Sequence, residues 1–430
     1  MHSIGIHQVI ILLISLFYWM GIWHRNDIPT TRQIKIKLFY WIYYSLLICS
    51  LTVGAIKSKS MDEAIFIAQI SIMTSILAVK FWILIWKQKQ ILELINRVCA
   101  ISYRNDEDLS FFNNKMEKFI KFVVTFLSSA FIMCSCAIII VPFVGSEKKL
   151  FVSIAFPLDY RNDAIAFWIA HIFIATQSYL SVLIVSTSVL IWYLMFHCSL
   201  RYEILGREIR NMGSDVVNGK MPQKEKDKKF SQDLTASIEA HVHLKELIEA
   251  VASFTSTLFL IQFATSAVCI CGSVYCLAFV SIDSVNTNRH FLTHSIKFQD
   301  IGGNFVERLI HLYTLIYHIA ELFMITNFGN EIMLSSSRLA YCLFESDWIG
   351  RPQSTIKSII VFTEYLKQAH VLLIARVYPL TLETFIRVAN CLIRMVCKVF
   401  LRSVFVTDFK VSLQFFQHFE KRAEVNFEGT

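Results

Sequence analysis

Six stretches of this chain are each apolar over about 20 residues, the length a helix needs to cross bilayer hydrocarbon. They run 38–56, 64–86, 119–141, 165–195, 251–281 and 309–328. Hydrocarbon offers backbone amides no partner, so such stretches must close their hydrogen bonds internally, as helices do. No proline lies inside these cores; Pro142 only ends the third. The runs 165–195 and 251–281 exceed one bilayer thickness, so they are expected to tilt or to project beyond it. Composition agrees, with 55% hydrophobic and 17% charged residues, against about 45–50% and 25% in soluble domains. Soluble, disordered, collagen-like and disulfide-scaffold classes are thereby excluded. A formal charge of +8 without a basic stripe gives no footprint for nucleic acid. Of the 11 cysteines, Cys49, Cys134, Cys136, Cys269, Cys271 and Cys276 lie in apolar runs and read as small buried hydrophobes.

The C-terminal region has a different pattern. Residues 361–376 carry Glu364, Lys367, Gln368, His370 and Arg376, too polar a set to face lipid. After Pro379, the run 380–401 is long enough to span, yet it holds Glu383, Arg387, Arg394 and Lys398. At 100° per residue these fall within about 60° of one another, with Asn390 beside them. The pattern predicts a seventh, amphipathic span whose polar stripe faces protein or water, because charge facing lipid is costly. At the other terminus, the apolar run 9–20 is only twelve residues long. No basic residue precedes Arg25, which argues against a signal peptide. An interfacial or re-entrant segment is expected there, with a full span over 4–23 as the alternative. Lys and Arg number 22 in 24–37, 87–118, 196–250 and 327–360 but 7 in 57–63, 142–165 and 282–307. That bias predicts a cytoplasmic N-terminus.

The longest loop is 196–250. Lys220 to Lys229 holds five lysines with Glu225 and Asp227, and Leu234, Ile238, Val242, Leu247 and Val251 repeat at helical spacing. Two readings stay open: a solvated extension of two long helices, or an intracellular anchor where subunits pack. Residues 283–306 form a polar outer loop without a motif, and no internal repeat is visible. His241 and His243 splay on a helix and read as surface residues. The pairs Cys134/Cys136 and Cys269/Cys271 read as packing. There is no Gly-rich phosphate loop, HExxH or GxSxG, so no enzyme, cofactor or metal is expected. Lys80 is expected to snorkel to cytoplasmic headgroups. A G-protein-coupled receptor would want the opposite orientation and an Asn-Pro-x-x-Tyr, whereas this chain has no Asn-Pro dipeptide. A transporter would show broken helices and paired halves.

In the sixth span Tyr313, Tyr317 and Glu321 recur at i, i+4 and i+8 on one face. Tyrosines there supply apolar area with a polar handle, which suits a small lipophilic ligand; helix–helix packing is the competing reading. The outer halves of the second, third and fourth spans would add Phe66, Ile70 and Met73; Phe131, Cys134 and Ser135; and Phe167, Thr176 and Tyr179.

Phe328-Gly329-Asn330-Glu331 closes the sixth span. Tyr341, Trp348 and Pro352 follow, and then Pro379-Leu380-Thr381-Leu382-Glu383-Thr384-Phe385. This series, in this order and spacing, resembles the insect odorant receptor family. The likeness is strongest over 310–391, and Met20-Gly21-Ile22-Trp23 also looks like the family's N-terminal segment. The resemblance implies an all-α membrane protein of seven transmembrane helices with a cytoplasmic N-terminus. The implied layout is an N-terminal segment 1–37, six helices over 38–328, a cytoplasmic anchor 329–376, a pore-lining helix 377–402 and a tail 403–430. It implies a hetero-oligomer with a co-receptor, tetrameric in stoichiometry, forming an odorant-gated non-selective cation channel in an olfactory neuron's dendritic plasma membrane. The ligand would be a small volatile, held among the outer halves of spans two, three, four and six. Pore-lining roles would fall to Glu383, Arg387, Asn390 and Arg394, and the family signature to Phe328, Gly329, Asn330, Glu331, Tyr341, Trp348, Pro379, Leu382, Glu383 and Phe385. The alternative is a gustatory-type receptor of the same architecture, and then a metabotropic receptor or transporter. One departure is visible. Arg394, Lys398 and Arg402 interrupt what the family finishes with uncharged residues, and the chain runs on to Thr430. Positive charge along a cation pathway opposes conduction. Three readings stay open: an altered reading of the gene in this tail, which is favoured, a poorly conducting subunit, or a stripe that faces a partner.

Overall fold

The computed structural model describes residues 2–4, 7–26, 29–58, 61–103, 106–143, 150–160, 162–213, 222–289, 298–375, 377–395 and 398. Of the expected 283–306 loop, residues 290–297 lie outside the described residues, while 283–289 continue one long helix and 298–306 begin the next, so the polar loop is shorter than expected. Nearly all of the tail after Cys391 also lies outside the described residues. The described part is almost entirely helical. In chain order it comprises α1 (Gln8–Trp19), α2 (Thr31–Lys57), α3 (Met61–Trp86), α4 (Gln88–Cys99), α5 (Asp106–Ile140), α6 (Ala164–Arg210), α7 (Gln223–Arg289), α8 (Phe298–Phe344), α9 (Gln353–Leu366) and α10 (382–395). Two small antiparallel pairs complete it: β1 (His2–Ile4) with β2 (Ile101–Tyr103), and β3 (Leu373–Ile374) with β4 (Tyr378–Pro379).

Six helices, α2, α3 and α5 to α8, are long and apolar enough to cross a membrane. Each extends past its apolar window because polar residues at the ends continue the helical hydrogen bonding. Thr30 N–H donates to the Gln33 side chain at 2.9 Å at the start of α2, and Asp163 Oδ1 accepts from Ile165 N–H at 2.9 Å at the start of α6. Large apolar side chains stand exposed around the bundle, including Phe39, Trp41 and Ile42 on α2, Phe131, Ile132 and Ile139 on α5, and Ile316 on α8. In water such a belt would aggregate; in a bilayer it is the solvated surface. Cys49 and Cys136 are exposed on this surface rather than buried, whereas Cys269 and Cys276 are buried. The expectation of buried thiols therefore fails where helix periodicity turns them toward lipid.

The bundle core is formed by α6 and α8, with α3, α5 and α7 around them. Helices α6, α7 and α8, with 47, 67 and 47 residues, are far longer than one crossing. Their projecting ends gather with α4 and α9 at one end of the molecule. The span from 196 to 250 is thus mostly continuous helix, with Leu247 and Val251 buried and Val242 exposed. Arg351 joins this end together: its guanidinium lies over the Phe230 ring at 4.9 Å and pairs with Asp227 at 3.0 Å and Asp347 at 2.5 Å. His241 is buried here against Tyr202, Phe362 and Tyr365, not at the surface, because α9 covers that face of α7. His243 remains exposed.

Residues 361–376 do not continue as one helix. Helix α9 stops at Leu366, and the chain turns into the β3–β4 hairpin before α10. Gly329 on α8 makes room for that hairpin's exit: a Cβ there would stand 2.7 Å from Leu380 Cγ. Helix α10 then lies back on α7 and α8, with Leu392 buried against Ile270 and Leu322 and the Phe385 ring 5.8 Å from Phe323. At the N-terminus, α1 has 12 residues, too few to span. It buries Ile10, Leu13, Ile14 and Phe17 and exposes Leu12 and Trp19, while Trp23 Nε1 donates to the Leu84 carbonyl at 2.9 Å.

Candidate ligand-binding site

A cavity of about 270 Å³ opens inside the bundle among α2, α3, α5, α6, α7 and α8, in the half toward the α2–α3 turn. Its wall is mostly apolar. The sequence-based candidates Phe66, Ile70, Met73, Cys134, Tyr313 and Tyr317 all line it. Tyr317 stacks on Phe126 at 5.4 Å and lies 6.4 Å from the Tyr313 ring, so the two tyrosines form one aromatic side.

Five other candidates are placed elsewhere. Phe131 and Tyr179 meet at 5.6 Å on the outer surface, where the Tyr179 hydroxyl donates to Ser135 Oγ at 3.3 Å. On α5, Phe131 and Ser135 are turned about 60° and about 100° from Cys134, which is the one of these three that reaches the cavity. Thr176 pairs with the Tyr43 hydroxyl between α6 and α2. Phe167 is buried in a separate cluster with Leu51, Ile67 and Ile154.

The connector between α5 and α6 covers the cavity. Leu150, Val152 and Ile154 alternate inward, and Phe151, Val152 and Ile154 reach the cavity wall. The connector is tied to α2: Ala155 N–H donates to the Ser50 carbonyl at 3.1 Å, and Ser50 Oγ donates to the Ala155 carbonyl at 2.7 Å. A Cβ at Gly54 would stand 3.1 Å from the Ser153 carbonyl oxygen, so Gly54 permits this close approach.

The cavity floor is polar. Lys80 of α3 does not snorkel. Its side chain is 9% exposed and pairs with Glu321 of α8 at 2.9 Å. Ser188 of α6 donates to the same carboxylate oxygen at 2.7 Å, and Gln262 of α7 donates to the other at 2.6 Å. Snorkelling loses because Lys80 sits on the inward face of α3, where a carboxylate is nearer than any headgroup. Four helices thus converge on one buried charge pair. Gln69 ties α3 to α7 in the same way, donating to the Cys269 carbonyl at 3.0 Å and Ser273 Oγ at 2.7 Å. Gln177 donates to the Tyr43 carbonyl at 3.0 Å. Lys80, Gln69, Gln177, Gln262 and His318 were not among the candidates read from the sequence. Each is a polar residue inside an apolar run, and such residues face the bundle interior.

The candidate pore residues Glu383, Arg387, Asn390 and Arg394 are all exposed on α10, on the side away from the packed Phe385, Val388 and Leu392. Arg387 pairs with Glu383 at 2.6 Å. Within the signature, Phe328 is buried against Phe119 and Phe196, at 5.7 and 5.9 Å. Asn330, Glu331 and Leu382 are half-buried, Tyr341 is exposed, and Pro379 pairs with Leu373. Trp348 Nε1 donates to the Phe344 carbonyl at 3.2 Å.

A family model described as 7tm Odorant receptor matches residues 60–292 and 298–393. The chain belongs to the odorant receptor family. Odorant receptor 94a of Drosophila melanogaster is 23% identical over 238 residues, which cover 54% of this chain and 53% of that protein. The chain thus spans about half the length of the curated relative it matches. Among solved structures, the insect olfactory receptor OR5 from Machilis hrabei is similar with a TM-score of 0.67 at 14% identity, covering 90% of this chain and 98% of that one. The same receptor in complex with eugenol gives a TM-score of 0.67 at 13% identity, covering 91% and 99%. These odorant receptor structures share the fold described above. The family is one of membrane receptors, not enzymes, and this odorant receptor carries the membrane-spanning helices that go with it.

Proposed function

We propose that this odorant receptor binds a small volatile ligand in the cavity between α3, α5, α6, α7 and α8 and acts, with a co-receptor, as a subunit of an odorant-gated cation channel. The observation that carries the reading is the covered, mostly apolar cavity with a few convergent polar groups, the form that small-molecule sites take. That the similar OR5 receptor forms a complex with eugenol supports a small-molecule ligand.

The path from ligand to pore runs along α8. Tyr317 and Glu321 line the cavity, and the neighbouring Leu322 and Phe323 pack on α10. A ligand that fits one packing of this helix better than another shifts the population toward it. Helix α10 presents Glu383, Arg387, Asn390 and Arg394 away from its own bundle. With the chain assembled in a membrane, that stripe needs water or protein, which a central pore shared by subunits supplies. The exposed Ile360, Val361, Val377 and Tyr378 on α9 and the hairpin fit a subunit contact at the anchor end, placed in the cytoplasm together with the N-terminus. Olfactory dendritic plasma membrane is the proposed location.

Co-expression with a co-receptor and whole-cell recording tests this. Ligand-evoked cation current within milliseconds and insensitive to G-protein inhibitors is expected. A response that requires guanine nucleotide exchange refutes the channel.

A further inference from the structure

The polar floor of the cavity contains more hydrogen-bond donors than the protein uses. Glu321 Oε1 accepts from Lys80 Nζ at 2.9 Å and from Ser188 Oγ at 2.7 Å, and Oε2 accepts from Gln262 Nε2 at 2.6 Å. Lys80 Nζ also donates to Ser188 Oγ at 3.3 Å. An ammonium carries three N–H donors, so one remains without an acceptor among the described residues, on a side chain that lines the cavity.

His318 points the same way. Gln262 Nε2 donates to Ser266 Oγ at 3.0 Å, which leaves the Ser266 proton for His318 Nδ1, 3.3 Å away. The Ser266 hydroxyl has a second lone pair as well as its proton, so it can meet His318 Nδ1 in either tautomer. Nε2 has no hydrogen-bond partner among the described residues, although the residue is 3% exposed and lines the cavity. Gln262 Oε1 is likewise an unmet acceptor. Buried polar atoms without partners are costly and mark a place where a ligand atom belongs.

We propose that Lys80 and Glu321, with His318 beside them, form a subsite that selects neutral oxygenated ligands. The oxygen accepts from Lys80, and the apolar tail lies among Phe66, Ile70, Tyr313 and Tyr317. This rests on the cavity being the ligand site. A carboxylate is disfavoured because Glu321 already neutralises Lys80, so an added anion leaves one negative charge uncompensated in an apolar wall. An alkylammonium is disfavoured because it must approach Lys80. An alcohol accepts from Lys80 and can donate to Gln262 Oε1, whereas a ketone makes only the first bond.

The test is a matched panel applied to the full chain co-expressed with a co-receptor: 2-octanol, 2-octanone, n-nonane, octanoate and octylamine. Half-maximal concentrations for the alcohol and ketone are expected about tenfold or more below that for nonane, the discrimination one hydrogen bond to a charged donor supplies. In the double variant Lys80→Met/Glu321→Leu, which replaces the pair by apolar groups of similar volume, that ratio is expected to fall to about twofold. Preference for octanoate, octylamine or nonane in the unaltered receptor overturns the proposal without any variant. So does a panel in which no member evokes current, or an unchanged ratio in the double variant. Ala137→Trp, which fills the cavity, separates the two readings. If it leaves every response unchanged, the cavity itself is not the ligand site. If it abolishes responses that show no oxygen preference, only the subsite fails.

Discussion

A carboxylate deep in a membrane bundle persists only when its partners hold it, and Glu321 has three: Lys80, Ser188 and Gln262. Removing one member of such a pair strands the other charge, at a cost on the order of 3–5 kcal/mol. Glu321→Ala is therefore expected to lower the thermal midpoint of the detergent-solubilised receptor sharply and to reduce its surface expression. The double variant Lys80→Met/Glu321→Leu should recover most of both. Fluorescence-detected size-exclusion chromatography after heating measures this; a single variant as stable as the parent would remove the pair from any structural role. Tyr317 contributes differently, as a buried ring stacked on Phe126. Tyr317→Ala enlarges the cavity and is expected to shift half-maximal ligand concentration about tenfold or more while assembly is spared, since a buried aromatic truncation removes several kcal/mol of contact. Co-immunoprecipitation with the co-receptor, read beside the dose–response curve, separates the two effects.

Among the elements, the β3–β4 hairpin leads from α9 into α10, and its exit at Leu380 abuts α8 at Gly329. Gly329 sits where the Leu380 backbone and side chain leave no space for a Cβ. Gly329→Ala is expected to push the hairpin off α8, at roughly 1–3 kcal/mol for overpacking. Gly350, at φ +78° with open space around it, offers a control. Gly350→Ala costs about 1 kcal/mol of backbone strain and moves nothing. Limited proteolysis within 367–380 should accelerate in the first variant only. His370 lies in the same connection, half-buried, with its N–H donating to Ser336 Oγ at 2.9 Å. Burial lowers its pKa below the ordinary value of 6.5; Glu249 opposes this and Lys245 adds to it. The folded state therefore favours the neutral ring. Its contribution is fully present above pH 6.5 and is lost as pH falls through the depressed value. The thermal midpoint should drop between pH 7.5 and 5.5, and His370→Gln should flatten that slope.

For the whole molecule, α10 has two faces about half a revolution apart. Phe385, Val388 and Leu392 pack on α7 and α8, and the charged stripe points away from the bundle. If that stripe borders the conduction path, Arg387→Gln and Arg394→Gln should each raise cation conductance about twofold or more, because a fixed positive charge repels a permeating cation. Single-channel recording at low ionic strength, where screening is weakest, gives the clearest reading. Unchanged conductance in both would place the stripe against a partner subunit instead. The anchor end makes a parallel case. Ile360 and Val361 stand exposed on α9, whose first turn follows directly on the buried Arg351 that joins Asp227 and Asp347, so the surface is apolar while the start of its helix is held by ion pairs.

Much of this architecture follows from local pattern. Apolar run length dictates six crossing helices, because backbone amides in hydrocarbon have no other partner. Period alone puts Glu383, Arg387, Asn390 and Arg394 on one face of α10, and Phe66, Ile70 and Met73 on one face of α3. Rotational setting is different. Phe131 and Ser135 flank Cys134 in the sequence with equal claim to the cavity, and only the packing of α5 on α6 turns Cys134 in and its neighbours out. The Lys80–Glu321 pair joins residues 241 positions apart, and the connector that covers the cavity has no helical period at all. Run length and period are properties of one segment, fixed by its own hydrogen bonds and solvent. Which face meets which neighbour is settled only when several helices minimise buried polar area together, and the ligand cavity is what that joint packing leaves open.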